Sequence, residues 1–231
     1  MPSSKAKVKL SVIIPTLQEA TVLPQTLASL QALHTPCEII VVDAGSTDTT
    51  VAMAKQAGCI VLHGPRSRGV QLNLGAARAS GDVFLFLHAD TILPPHAYES
   101  IVEACKINDM CGGNFRLRFL GTSVAARIVT HLYALLHYLG IAYGDSAFFV
   151  RADTFHAMHG FTETPLFEDL EFYQRLKHYG TRVRLHDIAY TASRRFEQAF
   201  LKTLALWMLL QTLYMLGTSP HTLARWYKLA R

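Results

Sequence analysis

The stretch SGDVFLFLHADT, residues 80–91, holds the fold in miniature: Val83 to Leu87 is wholly apolar, and the run ends on His88-Ala89-Asp90. A short continuous apolar run bounded by turn residues describes a strand covered on both faces, as in a parallel sheet between two helical layers. Such a strand has no solvent face, so its polar residues fall at the ends. In open α/β sheets ligands collect outside the carboxyl ends of the strands. Asp90 stands at such an end, where a carboxylate suits Mg2+ or Mn2+, ions that take oxygen ligands and bridge to substrate phosphates. An ordinary strand end with a capping Asp is the plainer alternative. His88 projects to the same side of an extended chain as Asp90, either assisting that metal or packing in the core.

Upstream the same pattern repeats. Apolar strands are expected at 10–14, 38–42 and 59–62, with helices at 21–33, 49–56 and 70–79 between them. Alternation of this kind predicts a parallel sheet covered by helices. Two of these strands also end in polar residues: Pro15-Thr16-Leu17-Gln18-Glu19, and Asp43-Ala44-Gly45-Ser46-Thr47-Asp48. Asp43 suits the hydroxyls of a ribose or the N–H of a base, while Ser46 or Asp48 caps the following helix and leaves Asp43 free. In GPRSRGVQLNLGAA (64–77), Arg66, Arg68 and Gly69 stand at a helix start. Guanidinium groups and helix N–H donors there suit a phosphate. The stretch is neither a P-loop nor G-x-G-x-x-G, and a solvated helix start is the other reading; Gln71 and Asn73 are the polar residues of that helix.

After Cys111 the rhythm changes. GGNFRLRF (112–119) alternates like a half-exposed antiparallel strand, an apolar helix is expected over 123–139, and further strands at 147–150 and 182–186. A helix over 167–178 opens with Glu168, Asp169 and Glu171. Acids are favoured in a first turn by the helix dipole, and a carboxylate there also suits a general base that takes a proton from a hydroxyl. No linker divides the chain, so a single α/β domain over 1–231 is expected, with halves near 1–111 and 112–196 and an apolar helical segment near 197–231. Within that last segment the apolar part is shorter than the about 20 residues that cross a bilayer. Basic residues flank it and Trp207, Tyr214, Trp226 and Tyr227 punctuate it, which leaves two readings open: a helix closing the core, or one lying on a membrane surface.

The 231 residues are half hydrophobic, 17% charged and carry a formal net charge of +5, which excludes a disordered chain and suggests an anionic partner. Lys and Arg form no dense run and no nucleic-acid-binding signature is present, so phosphorylated small molecules or anionic lipid fit better than nucleic acid. The four cysteines form no C-x-x-C pair, which fits a reducing compartment. The amino terminus reads as no signal peptide. A cytoplasmic protein, working in solution or at the inner face of the cell membrane, is the expectation.

Taken in order, these segments resemble the family 2 glycosyltransferases of GT-A fold. SVIIPTLQEA resembles the family's opening P-T-x-N-E segment, EIIVVDAGSTDTT its V-V-D-D-G-S-x-D-x-T segment, SGDVFLFLHADT the segment ending in D-x-D, and FEDLEFYQRL its E-D-x-D/E segment. RSRGVQLNLGAARASGD is similar to the R-x-x-Q-x-N-x-G-A stretch of a small, bacterial-type, single-domain subgroup. The chain departs from the pattern at Gln18, at Ala44, and at His88, which occupies the first D-x-D position. The resemblance implies an inverting, metal-dependent transfer of sugar from a UDP- or GDP-linked donor to an acceptor hydroxyl, the acceptor unspecified, and the basic, aromatic carboxyl-terminal segment raises a lipid-linked acceptor. It implies a nucleotide pocket lined by Pro15, Thr16, Glu19, Asp43, Gly45 and Ser46. Arg66 and Arg68 would face the diphosphate, with Gln71 and Asn73 nearby, and Arg194 and Arg195 would close over it. Asp90, with His88 beside it, would hold Mn2+ or Mg2+. Asp169 would be the base, flanked by Glu168, and Asp145 would border one of the sugars. Two other functions remain compatible with such a fold: nucleotidyl transfer, and a non-catalytic nucleotide-sugar-binding module at a membrane surface.

Overall fold

The computed structural model describes residues 8–193 and 200–229. The strands are β1 (Leu10–Thr16), β2 (Glu38–Asp43), β3 (Ile60–His63), β4 (Val83–Phe86), β5 (Thr91–Ile92), β6 (Met110–Phe119), β7 (Phe148–Arg151) and β8 (Thr181–Thr191). They form one sheet in the order β3-β2-β1-β4-β7-β6-β8-β5. The first four run parallel; β7 is antiparallel to both β4 and β6, β8 runs parallel to β6, and β5 antiparallel to β8. The helices are α1 (Leu23–Gln31), α2 (Thr50–Gln56), α3 (Arg68–Arg78), α4 (Ala97–Ala104), α5 (Val124–Tyr138), α6 (Ala152–Ala157), α7 (Glu168–Leu176), α8 (Phe200–Met215) and α9 (Pro220–Leu229).

The apolar run of β4 is explained by two cores. Val83, Leu85 and Leu87 point into one, with Leu23, Leu27 and Leu30 of α1 and Ile101 of α4. Phe84 and Phe86 point into the other, with Leu72 and Ala76 of α3, Phe155 of α6 and Phe172 of α7. Successive side chains of a strand face opposite ways, so every position of this strand is buried. β1 behaves alike, with Val12 and Ile14 in the first core and Ile13 in the second. Gly75 lets α3 lie against β1, since a Cβ there would collide with the Ile13 side chain.

Three expectations change in the second half. GGNFRLRF is antiparallel to β7 as expected but is not half-exposed along its length: β6 lies between β7 and β8, is buried through Phe115, and alternates only from Arg116 onward. The short strand expected at 182–186 extends to Thr191, because its far end pairs with β6 and β5. The stretch between Asp90 and Cys111, unassigned from sequence, supplies β5 and α4.

One face of the carboxyl-terminal helices packs on the core. Trp207 of α8 stacks on Tyr133 of α5, ring centroids 5.5 Å apart, and Tyr214 stacks on Phe167 at 4.6 Å. Leu210 and Gln211 are buried. The opposite face leaves Leu201, Met208, Leu209 and Met215 exposed. Among the described residues, no helix is long and apolar enough to cross a membrane.

Candidate active site

In-register pairing of β1 with β2 puts Thr16 directly beside Asp43 at the carboxyl edge of the sheet. Asp43 is 1% exposed. Its Oδ2 accepts the backbone amides of Gly45 (2.9 Å) and Ser46 (2.8 Å), and its Oδ1 accepts the hydroxyls of Ser46 (2.5 Å) and Thr16 (3.1 Å). Burial opposes the charge, but these four hydrogen bonds outweigh it and hold the carboxyl below its ordinary range. The expectation that Asp43 stays free is therefore corrected. Its acceptor positions are filled by its own turn, and what it offers a ligand is the shape of that turn. Asp48 caps as expected, accepting the amide and hydroxyl of Thr50 at 3.0 and 2.5 Å.

Gln18, the departure from the family's Asn, adopts the left-handed conformation (φ 58°). Its Oε1 accepts the amides of Thr47 and Asp48 at 3.1 Å, its Nε2 donates to the Thr47 hydroxyl, and its own amide donates to Ser46. The two polar strand ends are thereby laced into one wall. Pro15 sits half-buried in β1, and the backbone amide of Glu19 donates to the Thr50 hydroxyl at 2.9 Å.

The polar residues of α3 divide. Gln71 is buried and donates to the carbonyls of Val42 (2.7 Å) and Thr16 (3.2 Å), while Asn73 clamps both backbone groups of Phe161 at 2.8 and 2.9 Å. Both tie the fold together beside the site; neither presents a free amide to it. Gly69 permits α3 to begin there, because a Cβ would lie 2.6 Å from the Thr162 carbonyl oxygen. Arg66 and Arg68 are exposed beside this helix start.

Arg68 lies among carboxylates. Its Nη1 is 3.7 Å from Glu168 Oε1. Although the side chain is 41% exposed, the protein packed around its guanidinium works against the charge, and the fields of Glu168, Asp169, Asp145 and Asp90 overcome that and raise its pKa. Four acids from three separate stretches of sequence thus surround one arginine. Glu168 is buried, and burial together with Asp169 pushes its carboxyl up, against the pull of Arg68. Asp169 is half-buried; its Oδ2 accepts the Gly144 amide and its Oδ1 the Leu170 amide, both at 2.7 Å. His88 does not stand free beside Asp90: its Nδ1 lies 2.6 Å from Asp145 Oδ1. The Thr191 hydroxyl donates to Asp90 at 3.4 Å. Arg194 and Arg195, expected to close over the diphosphate, lie outside the described residues.

Four contributors had no signal strong enough to read in sequence. Tyr133 donates to the second oxygen of Asp145 at 3.3 Å, Tyr143 donates to Gln211 of α8 at 2.7 Å, and Trp207 packs on both tyrosine rings. Tyr133 and Trp207 sit in apolar helices and Tyr143 in the segment after α5, and along the sequence all three look like ordinary core residues. Left-handed backbone at Gln18, Ala147 and Phe167 also borders the site segments, the kind of conformational cost that folded structures concentrate at functional sites.

Among the described residues no three His, Cys, Asp or Glu side chains are grouped to hold a metal by themselves. Mg2+ and Mn2+ at phosphate-transferring sites take one or two carboxylates and complete their shell with water and substrate oxygens. Asp90, half-exposed at the sheet's carboxyl edge among other acids, fits that single-carboxylate pattern. His88 fits it less well, since one ring nitrogen is committed to Asp145.

Residues 11–161 match the profile of Glycosyl transferase family 2. The chain belongs to that family. Its family 2 relatives include an uncharacterized glycosyltransferase of Nostoc sp., 34% identical over 112 residues (45% of this chain, 35% of the relative). The dolichol-phosphate mannosyltransferase of Pyrococcus furiosus is 34% identical over 108 residues (42% and 30%). The undecaprenyl-phosphate 4-deoxy-4-formamido-L-arabinose transferase of Proteus mirabilis is 31% identical over 110 residues (42% and 34%). The matched region spans about a third of each of these relatives. Among solved structures, the Pyrobaculum calidifontis mannosyltransferase PcManGT, in complex with GDP-Man and Mn2+, superposes with a TM-score of 0.65 at 16% identity, over 94% of this chain and 67% of that one. S. aureus TarS 1–349 gives 0.64 at 16% identity, over 80% and 60%. The fold of this family 2 chain is GT-A.

Asp43→Asn tests the turn. Because the folded carboxyl titrates below its ordinary range, its contribution is present in full above about pH 4 and is lost as the pH falls through the folded value. The variant is expected to be about 1–2 kcal/mol less stable than the parent at pH 7, the difference shrinking as the pH drops below 4. Urea denaturation at a series of pH values measures it.

Proposed function

We propose that this family 2 chain is an inverting glycosyltransferase that moves a sugar from a nucleoside-diphosphate donor, UDP- or GDP-linked, to an acceptor. The observation that carries this reading is the convergence of Arg68, Asp90, Asp145 and Asp169 on the edge already walled by the Thr16–Asp43 pair. A cation and several carboxylates there serve both ends of a sugar transfer. In this reading Asp169, oriented by the Gly144 amide, accepts the proton of an acceptor hydroxyl as its oxygen bonds to the anomeric carbon. The bond from that carbon to the diphosphate oxygen breaks on the opposite side, and the departing charge falls to Arg68 and Arg66. A Mn2+ or Mg2+ held by Asp90 would add charge neutralisation at the diphosphate. His88 positions Asp145 and the turn that carries Gly144. Glu168, shielded behind Arg68, sets the field around Asp169 instead of taking the proton. The whole chain is read as one catalytic domain.

The names of the relatives support a lipid-linked acceptor, and so does the surface. The outer faces of α5 and α8 leave Val124, Leu135, Tyr138, Leu139, Leu201, Met208 and Met215 exposed. Neither residues 123–139 nor 200–229 contain Asp or Glu, whereas Arg127, Lys202 and Arg225 are exposed on them. An acid-free, basic, apolar surface is what contact with anionic lipid requires. On this reading the enzyme works at the cytoplasmic face of a membrane.

Asp169→Asn is expected to bind nucleotide sugar about as well as the parent, by thermal shift, and to lose at least about a hundredfold in transfer; a variant retaining most of its turnover contradicts the assignment. Release of nucleoside diphosphate supports sugar transfer, whereas pyrophosphate would indicate nucleotidyl transfer. Asp90→Ala should remove the gain in donor affinity brought by Mn2+, and an unchanged gain would place the metal elsewhere. Flotation with phosphatidylglycerol-containing vesicles should fall in Leu139→Glu and Leu201→Glu variants, and undiminished flotation of both would remove the membrane contact.

A further inference from the structure

The proposed base is held between two turns. Its Oδ2 accepts the amide of Gly144, and its own place is set by Phe167, the residue from which α7 starts. Phe167 is left-handed (φ 64°), an uncommon conformation for a bulky aromatic. Its carbonyl accepts the Glu171 amide at 2.9 Å and so begins the helix. Ala147, which closes the Gly144–Ser146 turn, is left-handed as well (φ 52°). Backbone of this kind persists where the packing around it over-determines it.

That packing comes from one face of α8. Trp207, Gln211 and Tyr214 are spaced i, i+4, i+7, the spacing of a single helix face. Tyr214 stacks on the Phe167 ring, centroids 4.6 Å apart and planes inclined by 26°. Gln211 Oε1 accepts the hydroxyl of Tyr143, the residue before Gly144, at 2.7 Å. Trp207 lies parallel to the Tyr133 ring, and the Tyr133 hydroxyl donates to Asp145, the residue after Gly144. The three side chains therefore reach both segments that meet at the Asp169–Gly144 hydrogen bond.

Gln211 stands there at a cost to the fold. It is buried, and its Nε2 has no hydrogen-bond partner among the described residues. A buried amide that makes one bond and forfeits the others stabilises less than an apolar side chain of the same size. Stability alone therefore gives no account of a glutamine at this position. Its bond to Tyr143 fixes a distance and a direction for the turn, which apolar packing fixes less sharply.

We propose that Gln211 and Tyr214 are positioning residues for the transfer step, holding the Gly144 turn and the Phe167 turn at the spacing that orients Asp169. The proposal rests on the reading of Asp169 as the base. Neither residue touches the reacting atoms; Gln211 acts through Tyr143 and Tyr214 through Phe167. Misplacing a catalytic group by a fraction of an ångström slows the chemical step and leaves remote binding contacts intact. The Thr16–Asp43 edge is built from β1, β2 and their turns, so α8 governs turnover and leaves donor affinity unchanged.

Two measurements on the full chain test this: release of nucleoside diphosphate from UDP-glucose, UDP-N-acetylglucosamine and GDP-mannose, with water standing in for the acceptor hydroxyl, and deuterium exchange. A Tyr143→Phe/Gln211→Leu variant replaces both hydrogen-bond partners by apolar groups of like shape, a change that is nearly neutral for stability. It is expected to melt within about 3 °C of the parent, to keep its donor KM within about twofold, and to lose about tenfold in kcat. Tyr214→Ala should show the same split, and Tyr214→Phe, which keeps the stacked ring, should restore most of the parent's kcat. Thr212→Ala is the control, an exposed neighbour whose hydroxyl donates to the Met208 carbonyl of the same helix; neither parameter should move. Parental kcat in the double variant or in Tyr214→Ala, a loss carried by KM instead, or a Tyr214→Phe as slow as Tyr214→Ala overturns the proposal. If Asp169→Asn turns over as fast as the parent, or the parent hydrolyses none of the donors, the base reading fails and exchange alone decides. Faster exchange of residues 141–147 and 167–171 in the double variant and in Tyr214→Ala then upholds α8 as the element holding both turns, and unchanged exchange overturns it.

Discussion

The Gly144 amide donates to Asp169 at 2.7 Å, and Gly144 has room for nothing larger than hydrogen, since a Cβ would lie 2.9 Å from His88 Nε2 and 3.3 Å from Asp169 Oδ2. Around this contact the second half of the molecule is arranged. The next residue, Asp145, is held from both sides by His88 and Tyr133, and the residue before, Tyr143, is tied to Gln211. One short turn thereby joins the end of β4, the start of α7, helix α5 and helix α8. A polar contact of this kind depends on excluded water for its strength, and the stack of Tyr133, Tyr143 and Trp207 excludes it.

The two halves of the site are built on different physical grounds. The carboxyl edge of the sheet follows from the sheet itself: strands buried on both faces have polar residues only at their ends, and in-register pairing sets those ends side by side. Its polar groups are mutually satisfied, as the hydrogen bonds of Asp43 and Gln18 demonstrate. The other half is packed from loops and helices remote in sequence. There, among the described residues, the Nδ1 of His137 has no hydrogen-bond partner.

Several roles inferred from motif position shift once contacts are known. Gln71 and Asn73 are motif residues whose amides serve backbone groups of the protein. They fix α3 against β1, β2 and the loop at Phe161. His88 moves in the same direction, from metal neighbour to partner of Asp145. Motif residues of this sort position the site's turns and helices around Arg68, Asp90 and Asp169.

The linear chain determined the parallel half of the sheet, the carboxyl edge where polar residues gather, and the acids at the start of α7. All three rest on local signals, namely apolar runs, turn residues and helix-start chemistry, that operate within about ten residues and survive without knowledge of the rest of the fold. What only the tertiary structure decided is pairing. The insertion of β6 between β7 and β8, the convergence of four carboxylates on Arg68, and the tyrosines and Gln211 behind the Gly144 turn all depend on which distant strands and helices meet. Nothing in Tyr133 or Gln211 distinguishes it along the sequence from an ordinary helical residue. Packing at distances of a few ångströms across a separation of dozens of residues gives each its role.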